Sequence, residues 1–171
     1  MKYIITSCQY NAGVNKNLLA NIQTFAKVNK VDKILTFLQA GKYKEEERIH
    51  KLIMESDIEF IDKEMKLNNN LKVYDTKILP QQILPFTGMN RKLSRDFSYI
   101  LPSSKIRYES IANNSTYPRC LMSTGSLTNP NYKTHTAHGR KAEEQHQFGF
   151  VYVEIINSKI FKAYQIEANK Q

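Results

Sequence analysis

What most restricts the fold of this chain is the succession of patterns between Lys2 and Leu38. Lys2-Tyr-Ile-Ile-Thr6 is a run of β-branched and aromatic residues that gives way to the polar cluster Ser7-Cys-Gln-Tyr-Asn11. From Asn15 onward, Leu18, Leu19, Ile22, Phe25, Ala26 and Val28 recur every three or four positions, and Lys33-Ile-Leu-Thr-Phe-Leu38 is a second apolar run. The first and last patterns predict buried strands. The middle one predicts an amphipathic helix of about four turns, with Asn15 placed to cap it. Two strands joined through such a helix lie parallel and cross over right-handedly, so the front of the chain is a βαβ unit.

The remainder adds strands. Tyr43–Glu55 reads as a second helix, with Ile49, Leu52 and Ile53 on one side and its acids at the start, where they complement the helix dipole. Ser56–Ile61 is a short strand or the tail of that helix, and Lys66–Asn70 is a turn. Leu71–Tyr74 and Lys77–Leu79 read as strands, the second closed by Pro80, and the Pro and Gly content of Ile83–Asn90 predicts a loop. Phe97–Leu101 and Ile106–Ile111 alternate on either side of Pro102-Ser-Ser104. Phe148–Ile155 and Lys159–Ile166 read as a hairpin turning at Asn157-Ser158. The expectation is an α/β fold with a Rossmann-like βαβ front, a mixed sheet and a β-rich C-terminal half. With 171 residues, 41% of them hydrophobic, the chain suits a single domain over residues 1–171.

The formal charge of +9 is unevenly placed. Between Arg91 and Lys141 there are nine Lys and Arg (91, 92, 95, 105, 107, 119, 133, 140 and 141) against Asp96 and Glu109, a net +7. Phe97, Tyr99, Tyr108, Tyr117 and Tyr132 are interleaved with these cations, a composition suited to phosphate contact and base stacking and equally found on solvated basic faces. The candidate nucleic-acid contacts are Arg91, Lys92, Arg95, Arg119, Lys133, Arg140 and Lys141. Cys8 and Cys120 are read as small buried apolar groups. With no signal peptide and no run of membrane-spanning length, the expected setting is a reducing cytoplasm, with no membrane partner.

Two segments carry the candidate chemistry. The loop after the first strand offers Ser7, Gln9 and Asn11 at the carboxyl end of a parallel strand, where α/β proteins collect ligands. It lacks both the Gly-x-Gly-x-x-Gly fingerprint and the Gly-Lys-Ser/Thr of a phosphate-binding loop, so a standard dinucleotide or ATP site is not expected. A polar helix-capping loop explains the same residues. The second segment, Arg119–Gly149, holds Thr124, Gly125, Asn131, Tyr132, Glu143 and three of the four histidines, His135, His138 and His146. A histidine near a carboxylate can serve as a general base, which makes His146 and Glu143 the catalytic candidates beside the reading of a satisfied structural histidine. The spacing of the histidines matches no established metal motif, so a divalent ion is possible but not favoured and the cofactor is left open. Gly139 is expected to break any helix that would align His135 with His138.

The run Leu121-Met-Ser-Thr-Gly-Ser-Leu-Thr-Asn-Pro-Asn-Tyr132, continued by Gly139-x-x-Ala-Glu143-x-x-His146-x-x-Gly149 and Val151-Tyr-Val-Glu-Ile155, resembles a group of phage-encoded proteins. In that group a Thr-Thr-Gly, Asn-Tyr, Ala-Gly, Glu-x-x-His-x-x-Gly pattern precedes a Val-Glu-Val/Ile strand. Ile-Thr-Ser-Cys-Gln9 with Asn15-Lys-Asn-Leu-Leu19 is similar to the group's opening. The group's positions correspond to Gln9, Thr124, Gly125, Asn131, Tyr132, Glu143 and His146, and Ser123 keeps the hydroxyl of the first threonine. Longer members are labelled metallophosphoesterase or exonuclease-like, with a calcineurin-type domain after this region. The sequence contains no Asp-x-His, Gly-Asp or Gly-Asn-His-Asp/Glu motif, so that two-metal chemistry is not carried over. The resemblance implies a phage protein in the cytoplasm of an infected bacterium, near nucleic acid. Three functions are therefore weighed. The first is a nucleic-acid-binding protein or accessory module of a phage nuclease. The second is a nucleotide- or phosphoester-processing enzyme using Gln9, Thr124, Glu143 and His146. The third is an interaction or virion-associated protein with a phage or host protein partner.

Overall fold

Alternation along the first strand divides the molecule into layers. In β1 (Lys2–Gln9), Tyr3 and Ile5 belong to one apolar cluster and Ile4 and Cys8 to another, as the two-residue period of a strand requires. The computed structural model describes residues 1–40 and 46–169. α1 (Lys16–Asn29) starts where Asn15 Oδ1 accepts from the Leu18 amide at 3.0 Å, and it ends at Lys30 in the left-handed region (φ +53°). It returns the chain to β2 (Lys33–Gln39), parallel to β1 with Tyr3 opposite Lys33 and Gln9 opposite Gln39. The expected βαβ unit is present.

After the short α2 (Lys51–Met54), β3 (Ile58–Phe60) extends the first sheet in parallel with β2. The chain then builds a second sheet from β4 (Met65–Lys66), β5 (Leu71–Val73), β6 (Ser98–Leu101), β7 (Tyr108–Ile111) and β8 (Arg119–Ser123), with α3 (Met89–Lys92) between β5 and β6. α4 (Ala137–Glu144) follows, and the hairpin β9 (Phe148–Ile155) and β10 (Phe161–Ala168) completes the first sheet by pairing antiparallel with β1. The sheet orders are β10-β9-β1-β2-β3 and β4-β5-β6-β8-β7, both of mixed sense. The fold is α/β with a strand-rich second half, and the mixed sheet divides into two.

The two sheets share one core. Tyr3, Ile5, Leu35, Phe37, Val151 and Val153 of the first pack with Leu71, Val73, Ile100, Cys120 and Met122 of the second. Burying each such aliphatic side chain contributes about 1.5–3 kcal/mol. Leu18, Leu19 and Ile22 of α1 cover the other face of the first sheet, and Ile78, Phe86 and Met89 pack with Tyr99, Leu101 and Leu121 of the second. Cys8 and Cys120 are free thiols, both buried as expected. Among the described residues no helix is long and apolar enough to cross a membrane.

Three expected elements differ. Of the helix expected over Tyr43–Glu55, Tyr43, Lys44 and Glu45 lie outside the described residues, and only Lys51–Met54 is helical beyond them. The Arg48 backbone is used elsewhere, its N–H donating to Asn11 Oδ1 at 3.1 Å and its carbonyl accepting from the Asn11 amide at 2.8 Å. Lys77–Leu79 joins no sheet. The Thr76 amide donates to Tyr74 O and the Ile78 amide to Thr76 O, so this stretch is a pair of three-residue turns. Gly139 stands inside α4 and does not break it. It is needed for close approach, because a Cβ there would lie 1.9 Å from the Lys133 carbonyl oxygen.

Beyond β8 the chain crosses from the second sheet to the first. Gly125 adopts φ +72°, and a Cβ on it would meet the Gly149 backbone at 3.1 Å. The Leu127 amide then donates to Ser7 O at 2.8 Å and the Asn129 amide to Gly13 O at 2.7 Å, while Leu127 O accepts from the Asn15 amide at 3.0 Å. Residues 124–129 thus stitch the two sheets together at the carboxyl ends of β1 and β8.

Candidate functional site

That seam draws the two segments singled out in the sequence into one place. Ser7 and Thr124 hydroxyls are hydrogen-bonded at 2.5 Å, and the Gln9 amide donates to Thr128 Oγ1 at 2.9 Å. Gln9 Oε1 accepts from the Asn131 amide at 3.2 Å, and Asn131 Nδ2 donates to Tyr10 O at 3.1 Å. Over these contacts opens a cleft of about 270 Å³. Gln9, Asn131 and Tyr132 line its inner side, Ala40, Pro80 and Gln81 a second, and Lys133, Thr136, His138 and Gly139 a third. Its place at the carboxyl ends of parallel strands is where open α/β sheets bind ligands.

Beneath the cleft runs a chain of buried polar groups. His146 Nε2 lies 2.8 Å from Thr128 O, and since a carbonyl only accepts, Nε2 carries a proton. In the neutral ring Nδ1 is then an acceptor, and the Tyr132 hydroxyl, 2.8 Å away, donates to it. The same hydroxyl lies 2.6 Å from Ser104 Oγ and accepts from Lys105 Nζ at 3.2 Å. Lys105 Nζ also donates to Pro80 O at 2.7 Å and Ser104 Oγ at 3.0 Å, and sits 4.7 Å from the centre of the Tyr132 ring. Burial, reinforced by the charge of Arg107, pulls the Lys105 ammonium down to about 8, and burial pushes the Tyr132 phenol up to about 12. This wiring fixes the floor and back wall of the cleft, so its polar lining is held in place before any ligand arrives.

The wall formed by α4 depends on a local knot. Thr136 Oγ1 accepts from the Gly139 amide at 3.0 Å and donates to Lys133 O at 3.0 Å. Lys133 and His138 are thereby set on the cleft, with the exposed Arg140 and Lys141 continuing along the helix. Arg140 Nη1 donates to Thr134 O at 3.2 Å.

The expected site residues are distributed as follows. Gln9, Asn131 and Tyr132 line the cleft, whereas Ser7 and Thr124 lie fully buried below it and Gly125 is packed on Gly149. Asn11, at φ +55°, stands at the loop's exposed tip, where it pairs with Arg48. His146 is buried under the cleft, and Glu143 is exposed on α4. Of the basic set, Lys133, Arg140 and Lys141 gather at α4. Arg91 and Lys92 sit on α3, and Arg95 lines a separate groove with Asp96 and Asn113. Tyr132 and Arg119 are both buried: the polar chain under the cleft claims the tyrosine's hydroxyl, and Asn70 and Ser115 accept from the arginine. Sequence reasoning missed Lys105, Ser104 and Pro80. A lysine between Ser104 and Ile106 carries no periodic signal of burial.

Among the described residues no group of three or more His, Cys, Asp and Glu side chains is placed to hold a metal ion. No family model matches the chain, and no curated protein matches it. Among solved structures the chain is similar to Vps29 of Chaetomium thermophilum at 6% identity and a TM-score of 0.46, over 98% of this chain and 95% of that one.

Proposed function

We propose that this chain is a phage-encoded nucleic-acid-binding module that holds a polynucleotide backbone across the cleft and the adjoining basic surface of α4, serving a nuclease inside the infected bacterium. One observation carries the reading: the cleft is lined by amides, the hydroxyl residues Tyr132 and Thr136, Lys133 and His138, with no carboxylate among the described residues that line it, and the exposed Arg140 and Lys141 extend it. An anion entering there meets donors and positive charge, an arrangement that suits phosphate contact. The placement of the cleft at the strand ends and the resemblance of Leu121–Tyr132 and Gly139–Ile155 to phage proteins support the same reading.

The test is fluorescence anisotropy with labelled single-stranded and duplex oligonucleotides across a salt series. Wild-type protein binds at low salt and weakens as salt rises. The K133A/R140A/K141A variant binds at least about tenfold more weakly, and its log–log salt slope on single strands is smaller by about 2, since each lost phosphate contact removes about 0.7. Absence of binding at low salt, or an unchanged slope in the variant, overturns the proposal.

A further inference from the structure

We propose a second anion site, built on Arg119 at the far end of the sheets, that takes a phosphate monoester carried on a flat ring, as in a mononucleotide or at the 5′ end of a strand. β8 runs from Arg119 to Ser123, so Arg119 stands at the end of that strand opposite the cleft. A groove of about 300 Å³, within the range of small-molecule sites, opens there between edge strands β7 and β10. Tyr108 and Tyr117 offer it exposed rings, Ile160 and Phe161 an apolar side, and Arg119 and Lys159 positive charge.

Arg119 is the unusual member. Its side chain is buried, with 6% of the residue's surface accessible, yet it takes part in none of the ion pairs among the described residues. Nη2 donates to Asn70 Oδ1 at 3.1 Å and Ser115 Oγ at 3.2 Å, while Nε and Nη1 are buried with no acceptor. A buried guanidinium is ordinarily paired, because an uncompensated charge away from water is costly and its planar fork suits the oxygens of a phosphate or carboxylate. No carboxylate is among the described residues that line this groove. The wall is also built in advance: Asn70 Nδ2 donates to Lys159 O at 2.5 Å, and the Asn69 amide to Ser158 O at 2.8 Å, so the β4–β5 and β9–β10 turns are latched together behind the arginine. Two cations with no acid favour a phosphate head group, and two exposed phenol rings favour a planar body that stacks. The uncompensated charge of the guanidinium acts across the groove, and the exposed Lys159 ammonium meets the phosphate directly.

The experiment is titration of the intact chain with 5′-AMP, followed by amide NMR shifts and by calorimetry, with inorganic phosphate as a parallel probe. Expected are AMP-induced shifts at Tyr108, Tyr117 and Arg119, and AMP affinity at least about tenfold above that of phosphate. K159Q and Y117A alter exposed side chains that the core does not use, and each weakens AMP by about tenfold. In K133A/R140A/K141A the AMP-induced shifts at Tyr108, Tyr117 and Arg119 persist. A 5′-phosphorylated oligonucleotide that competes with AMP where its 5′-hydroxyl counterpart does not assigns the site to strand ends; AMP binding without such competition assigns it to free nucleotides. Either result supports the site. No shifts around Arg119 at millimolar AMP, or AMP affinity that falls in the α4 variant and not in K159Q or Y117A, overturns it.

Discussion

Replacing Gly139 by alanine sets two well-defined effects against each other. Position 139 lies inside α4, where alanine is favoured over glycine by about 1 kcal/mol of helix propensity. The structure opposes this, because the new Cβ would lie 1.9 Å from Lys133 O and 2.6 Å from its carbonyl carbon, both backbone atoms. Relief requires the Lys133 carbonyl to move by more than an ångström. That carbonyl accepts from Thr136 Oγ1, and Thr136 Oγ1 in turn caps the Gly139 amide. Loss of the cap costs about 1 kcal/mol and overpacking about 1–3 kcal/mol, which outweighs the propensity gain. G139A is expected to be less stable by about 1–3 kcal/mol in urea denaturation with an unchanged m-value. Lys133 and Gly139 line the same wall of the cleft, so oligonucleotide affinity falls as well. Stability equal to or above wild type would mean that Lys133 does not lie against α4, and the account of the cleft wall would fail.

Lys105 gives a pH signature. Its folded value near 8 lies below the 10.5 of an exposed lysine, so between these the unfolded chain binds more protons and stability rises with pH, by at most about 3 kcal/mol. Cys8 works the other way: its thiol is pushed from 9.0 up to about 12, so the folded chain holds the extra proton and stability falls above pH 9. The difference between wild type and K105M cancels the cysteine and should grow in favour of wild type from pH 7.5 to 10.5; a flat difference in calorimetric scans removes the assignment. Y132F takes away the hydroxyl that bonds to His146, Ser104 and Lys105 and should cost about 1–3 kcal/mol in chemical denaturation, a loss below about 0.5 kcal/mol counting against the buried chain. N15A deletes the side-chain acceptor of the Leu18 amide and should lower stability by about 1 kcal/mol; an unchanged urea midpoint would show that the cap contributes nothing.

What the sequence revealed about the fold was local. The β1–α1–β2 unit and the β9–β10 hairpin are legible because a period of two or of three to four residues, an Asn cap and a short turn are all written within a few positions of one another. The division into two sheets is not legible, because Ser123 to Leu127 carries no mark that the chain leaves one sheet for the other. The helix expected over Tyr43–Glu55 is cut short by Asn11, far away in sequence, which occupies the Arg48 backbone. Helix propensity alone makes Gly139 a helix breaker, whereas packing against Lys133 O decides the residue there. At the candidate site Gln9, Asn131 and Tyr132 stand out in the sequence as polar residues beside expected strands, and the structure brings them to one cleft. The buried ammonium of Lys105 is not legible, since its acceptors, Pro80 O and the hydroxyls of Ser104 and Tyr132, come together only in three dimensions.

Because β1 is flanked on one side by β2 and on the other by β9, the first sheet cannot close as the chain emerges from the ribosome. Until Phe148–Ile155 has been made, the open edge of β1 presents Lys2 to Ile5 unpaired, a strand free to dock with the wrong neighbour. Closure of the first sheet therefore waits on the β9–β10 hairpin, and refolding of residues 1–171 is expected to be slower than the helical front alone would suggest, limited by the search that brings β1 and β9 side by side.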